Sequence, residues 1–170
     1  DWGECPEKLE ETKAAIAEAH IVVCGLIFLD DQIQAIRPAL EAARERLDAF
    51  GGLISAPEIT KLTKMGALDM SAPDSTVMQF LKRLKPSKKP GQTASGEQQM
   101  RTLRRLPKIL RYIPGKAQDL RAYFLLMQYW LSGTAENVEA MLHYLIDRYA
   151  AGPRAVYRGR AAPPAPVLVP

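Results

Sequence analysis

A chain of 170 residues with 47% hydrophobic and 25% charged side chains has the makeup of an ordinary soluble globular protein, with length for one sizeable core. Its 23 Lys and Arg against 19 Asp and Glu give +4, an excess too mild to imply a nucleic-acid partner by itself. Two cysteines are too few for a disulfide framework, and no apolar run reaches the length of a membrane span. Cys24 sits in an apolar run and reads as a reduced, buried thiol, which fits a cytoplasmic setting. The charge is unevenly spread: acids crowd the start (Glu4, Glu7, Glu10, Glu11) and bases the middle, from Lys82 through Arg111. The first residue is Asp rather than Met, which reads as a removed natural start.

Pro6 to Ala19 reads as a helix, with Pro6 at an early position and Leu9, Ala15, Ile16 and Ala19 as a modest apolar stripe. His20 to Leu29 is a continuous apolar run rich in β-branched residues, the pattern of a strand covered on both faces. Asp30 is placed to cap a helix carrying Ile33, Ile36, Leu40, Ala43 and Leu47 on one side, kinked at Pro38. A second strand, Phe50 to Ser55, follows, and helix–strand–helix–strand is the grammar of an open α/β layer. Pro57 starts a short helix over EITKLTKM that Gly66 closes. Ser75 caps a helix with Val77, Phe80, Leu81 and Leu84 inward, and Lys85 to Gly96 reads as a flexible linker. Glu97 to Ile113 is helical with a break at Pro107; Ala117 to Leu131 is the most apolar helix, ended by Gly133. Thr134 caps a last helix with Val138, Met141, Leu142, Leu145, Ile146 and Tyr149 along one face, antiparallel to its neighbour. The tail AAPPAPVLVP reads as an extended linker.

Several residue groups are chemically suggestive. Arg101, Arg104, Arg105, Lys108 and Arg111 make one helix face basic, either an anion site or a solvated face. Glu139, His143 and Asp147 share a face at i, i+4 and i+8, yet one helix cannot close a tetrahedral metal shell, and no HExxH or CxxC pattern helps. His20, ahead of a buried strand, reads as structural. Asp30 and Asp31 lie just past a strand's carboxyl end, where open α/β sheets bind ligands, but Asp30 is what helix capping asks for, and capping is the favoured reading. Tyr123, Phe124, Tyr129 and Trp130 form either a stacking wall or core. GKA at Gly115 lacks the rest of a P-loop, so ATP binding by this chain alone is not expected.

Two stretches carry a family resemblance. LTKMGALDMSAPDS (Leu62 to Ser75), and RRLPKILRYIPGKAQDLRAYF followed by QYWL and SGTAEN, resemble the N-terminal part of the chelatase H family, the large porphyrin-binding subunits of magnesium chelatase. The resemblance covers most of this chain, but family proteins are several times longer, so the chain reads as a fragment. It implies a truncated α/β layer with a partial parallel sheet over 1–72, a helix and basic linker over 73–96, an antiparallel helical segment over 97–152 and an extended tail over 153–170. The sheet edge is then expected to be open to self-association. The resemblance further implies protoporphyrin IX and Mg2+ as substrates of the full subunit, and AAA+ ATPase and bridging subunits as partners, with the ATPase using ATP. It places metal insertion on the route to chlorophyll and bacteriochlorophyll. No catalytic residue is carried over, because the family's chemical site lies mostly in later domains. The large subunit of cobalt chelatase is a sister reading. For the fragment itself the favoured reading is a structural head region that positions the rest of the subunit, and a basic helical module for nucleic acid or an acidic partner is the competing class.

Overall fold

The computed structural model describes residues 5–72, 107, 110 and 115–159. In chain order these form α1 (Pro6–Glu18), β1 (Ile21–Gly25), α2 (Asp30–Arg44), β2 (Ala49–Leu53), α3 (Pro57–Thr60), β3 (Lys64–Met65), β4 (Leu68–Asp69), α4 (Lys116–Ser132), α5 (Ala135–Tyr149) and a 3-10 turn, η1 (Gly152–Tyr157). The fold is α/β, a small mixed sheet between helices, in the order β1-β2-β3-β4. β1 and β2 pair in parallel, Ile21 to Ala49 through Gly25 to Leu53, as the two-strand reading requires.

Side chains alternate across a strand, and here the alternation sorts the molecule into two cores. Val22, Cys24 and Phe50 face α1, α2 and α3, where Ile33, Ile36, Leu40 and Ala43 form the buried stripe of α2. Ile21, Val23, Ala49 and Leu53 face α4 and α5, packing on Leu120, Phe124, Leu126, Met141 and Leu145. Gly52 belongs to the first face: a Cβ there would lie 2.8 Å from the Ile59 carbonyl, so the bare backbone lets α3 close on the sheet. Thr63, fully buried, accepts the Gly52 N–H on its Oγ1 at 3.0 Å.

Three local expectations are corrected. The helix expected over EITKLTKM stops at Thr60; Lys64–Met65 and Leu68–Asp69 instead make a tight antiparallel hairpin on β2. Gly66, at φ +56°, is the first residue of its two-residue turn, where glycine avoids the left-handed penalty. Second, β1 ends at Gly25 rather than Leu29, because Leu26 turns to φ +62°. Its N–H reaches Ile54, itself at φ +45°, at 3.1 Å, so both parallel strands end on left-handed residues. For β-branched Ile54 this is a strained conformation, costing about 1–3 kcal/mol. Third, α2 begins at Asp30 with no side-chain cap, and Asp31 accepts the adjacent Gln32 N–H at 2.9 Å.

The second helical pair matches expectation more closely. Gly133 closes α4 at φ +65°, and Thr134 caps α5 by accepting the Asn137 N–H at 3.3 Å. The buried stripe of α5 is nevertheless rotated from the one expected. Asn137, Ala140, Met141, Leu145 and Tyr149 are buried, whereas Leu142 is 45% exposed. The helix expected after Ser75 and the linker over 85–96 lie outside the described residues.

Candidate functional site

A cavity among the described residues opens at the amino-terminal edge of the parallel strands, with a volume of about 500 Å3. That is the size range of small-molecule sites, though at the strand end opposite to the usual one. β1 supplies Ile21 and, just before it, His20; the turn into β2 supplies Asp48. The far wall is the last two turns of α5, with His143, Ile146, Asp147 and Ala150, continued by Arg154 and Tyr157 of η1. The cleft thus gathers both histidines of the chain, which the sequence alone sets apart as a strand lead-in and a surface residue.

Its charged groups are largely committed to one another. The Arg154 guanidinium forks onto Asp48, Nε to Oδ2 at 2.9 Å and Nη2 to Oδ1 at 3.0 Å, and the Ala151 N–H adds a third bond at 3.0 Å. The Arg154 hydrogen bond, then the Ala151 N–H and the Arg154 charge, hold the Asp48 carboxyl below its usual range against the opposing effect of burial. Asp147 accepts the Gly159 N–H, and His143 lies 3.9 Å from Glu139. Of the Glu139, His143 and Asp147 face, His143 and Asp147 line the cleft, Glu139 stays exposed outside it, and Asp147 holds the chain just past η1. No group of three His, Cys, Asp or Glu among the described residues is placed to hold a metal ion.

A second polar centre, unforeseen from the sequence, sits where α4, α5 and the hairpin meet. Asp119 accepts the Ala67 N–H of the hairpin turn at 2.8 Å on Oδ2. On Oδ1 it accepts Arg148 Nη2 and the Tyr149 hydroxyl, both at 2.9 Å. Burial pushes the Tyr149 hydroxyl pKa well up, and the Asp119 charge adds to it. A third cluster ties α2 to the hairpin: Arg44 donates to the Leu62 carbonyl at 2.9 Å and to Asp69 at 2.5 Å. A local signal exists for each, an acid in the first turn of α4 and a base in the last turn of α2, but nothing in the sequence gives the partners.

Of the sequence candidates, the aromatic group is core. Tyr123, Phe124 and Tyr129 are buried, Tyr123 donates to the Gly52 carbonyl at 2.9 Å, and burial raises its hydroxyl pKa to about 12. Trp130 lies against Gly25, where a Cβ would stand 2.5 Å from its ring. Arg101, Arg104, Arg105, Lys108 and Arg111 lie outside the described residues. Their neighbours Pro107 and Leu110 are buried, with carbonyls accepting from Arg121 Nε at 3.0 Å and Gln118 Nε2 at 2.8 Å. No helix among the described residues is long and apolar enough to cross a membrane.

Comparison with known proteins agrees with the resemblance carried by the LTKMGALDMSAPDS and QYWLSGTAEN stretches. The family described as Domain of unknown function (DUF3479) matches residues 1–124. The chain is 53% identical over 150 residues, 88% of its length, to the magnesium-chelatase H subunit of Rhodobacter capsulatus, of which it covers 12%. It is 52% identical over 164 residues, 96% of its length, to the H subunit of the Cereibacter sphaeroides magnesium chelatase, covering 14% of it. It is 34% identical over 137 residues, 80% of its length, to the chloroplastic magnesium-chelatase protein ChlH of Oryza sativa subsp. indica, covering 10% of it. The chain spans about one seventh or less of these relatives, and it belongs to the DUF3479 family, with magnesium-chelatase H subunits as its relatives across most of its length.

Proposed function

We propose that this chain serves as a positioning segment of the porphyrin-binding subunit of a magnesium chelatase. In this reading the whole enzyme inserts Mg2+ into protoporphyrin IX, with ATP used by a partner AAA+ ATPase, in the cytoplasm. The observation that carries the proposal is the identity of 52–53% over 150–164 residues to bacterial H subunits. The geometry favours positioning over chemistry. Asp48, Asp119 and Asp69, the acids with low side-chain exposure or several partners, spend their oxygens on backbone amides, hydroxyls and arginines that join one layer to the next. A base for the pyrrole N–H protons needs a free oxygen or nitrogen within reach of substrate, and the oxygens of these carboxylates are engaged by partners of the fold.

The test has two arms. Exchanging the matching stretch of the Rhodobacter capsulatus protein for this chain retains magnesium insertion when partners and ATP are supplied, and loss of activity in a folded chimera overturns the proposal. Titrating the chain alone with protoporphyrin IX, then Mg2+, gives no metalloporphyrin; stoichiometric formation would place the chemistry here. Tight porphyrin binding abolished by Arg104→Ala with Arg105→Ala would instead make the basic face a propionate site.

A further inference from the structure

Both histidines of the chain border the cleft at the amino-terminal edge of the parallel strands, His20 just ahead of β1 and His143 on α5. Both are exposed, and among the described residues neither ring makes a hydrogen bond. His143 lies 3.9 Å from Glu139, beyond bonding distance, and the His20 ring has no partner. Asp147, one turn along α5 from His143, gives Oδ1 to the Gly159 N–H and keeps Oδ2 without a partner among the described residues. Between these polar groups, half-buried Ile21 and Ile146 and buried Ala150 supply the apolar lining, with Tyr157 of η1 beside them.

A histidine on a surface is ordinary. Two of them, a half-used carboxylate and an aliphatic wall around one recess of about 500 Å3 have the makeup of a small-molecule site, apolar with a few polar groups converging from different elements. The charges decide what it admits. Arg154 is neutralised by its fork onto Asp48, whereas Asp147 has no cation within ion-pair distance among the described residues. With the histidines neutral, the lining is left net negative, and it opposes carboxylates, phosphates and the propionates of a porphyrin. A neutral imidazole holds one N–H donor and one bare acceptor nitrogen, and a carboxylate oxygen only accepts. The complement to that set is a flat ring whose own edge both donates and accepts.

We infer that this cleft binds a planar nitrogen heterocycle, neutral or protonated, with its faces on Ile21, Ile146 and Tyr157 and its ring nitrogens on His20, His143 and Asp147. A ring N–H donates to Asp147 Oδ2 or to the bare nitrogen of an imidazole, and an unprotonated ring nitrogen accepts the other imidazole's N–H. A hydrocarbon of the same shape strips water from these groups and returns no hydrogen bond, which sets the preference for a heterocycle. The volume suits one ring or two fused rings. Asp48 holds Ala151 and Arg154, and Asp147 holds Gly159, so η1 is pinned at both ends beside the ligand. This goes beyond the chelatase reading and does not depend on it.

The test is heteronuclear NMR of the chain at neutral pH, titrated with benzimidazole and adenine as probes and with benzoate as an anionic counterpart. With two histidines in the chain, His20→Ala and His143→Ala assign both ring resonances, and both positions are exposed, so the fold tolerates the changes. The expected result is that each heterocycle moves both histidine rings and the Ile21 and Ile146 methyl groups together and to saturation. Each histidine variant weakens that binding by ~10-fold, the loss of one hydrogen bond, and benzoate binds at least ~10-fold more weakly than the heterocycles. Asp147→Asn, which keeps an acceptor for Gly159, narrows the gap between benzoate and the heterocycles. If neither heterocycle moves both histidine rings by ~10 mM, the inference is overturned. It is equally overturned if benzoate binds as tightly, or if both histidine variants bind as wild type does.

Discussion

Replacing Asp119 by alanine cuts a junction of three elements with one change. Its carboxylate, with a side chain 13% exposed, holds the hairpin turn through the Ala67 N–H, and Arg148 and Tyr149 through their side chains. The lost Ala67 bond to a charged acceptor is worth about 1.5–3 kcal/mol. Stranding the Tyr149 hydroxyl, whose residue is 6% exposed, adds about 1 kcal/mol. Arg148 has 31% of its side chain in solvent, so its ion pair is discounted to about 0.5–1 kcal/mol. These terms overlap because they share one carboxylate, and roughly 3 kcal/mol is expected. For a chain of 170 residues that lowers Tm by about 6–12 °C. Urea denaturation and a thermal melt measure it directly. Asp119→Asn keeps two acceptor positions partly served and loses less. A double-mutant cycle of Asp119→Ala with Tyr149→Phe shows coupling above ~0.5 kcal/mol, because removing the hydroxyl relieves part of the damage. If Asp119→Ala lies within ~0.5 kcal/mol of wild type, the junction does not hold the hairpin to the helices and the reasoning fails.

The two cysteines separate kinetically. Cys5 is exposed, whereas burial raises the Cys24 thiol to about 11, so a thiol reagent at neutral pH titrates one group quickly and the second only as the chain opens. Two fast equivalents would mean that β1 is not packed between the helix layers. In acid, the Asp48 and Asp69 carboxyls are both held below their usual range, Asp48 chiefly by Arg154, and Asp69 by Ser71 and Arg44 against opposing burial. A depressed carboxylate stabilises the fold above its unfolded pKa of about 4, and that contribution is lost as pH falls through the lower folded value. Tm therefore drops below about pH 4, and Asp48→Asn and Asp69→Asn, each less stable at neutral pH, flatten that drop. Parallel acid limbs for wild type and variants would contradict it.

What the sequence disclosed and what it hid divide along one physical line. Ile33, Ile36, Leu40 and Ala43 recur at helical spacing, and all four are buried. The uninterrupted His20–Leu29 run announced a strand covered on both faces, of which the fold uses Ile21–Gly25, and Thr134 capped the helix it preceded. Each of these signals is local, written within one or two turns of chain. The hairpin was missed because strands of two residues leave no alternation to read, and Pro57 offered a helix start that tertiary pairing cut short. The direction of α5 was missed for a related reason. Its sequence offers an apolar stripe wide enough for two faces, and the sheet took Met141 and Leu145 while leaving Leu142 outside. The polar centres were least legible, since Asp119 meets Ala67 52 residues away and Asp48 meets Arg154 106 residues away. Charged residues near element ends look solvated in a linear reading. They become structural when another element's backbone amides or guanidinium arrive beside them, and only the packing of apolar stripes decides which ones do. The His20–His143 cleft belongs to the same class: it exists because Ile21 and Leu145 share a core that draws the end of α5 over the start of β1.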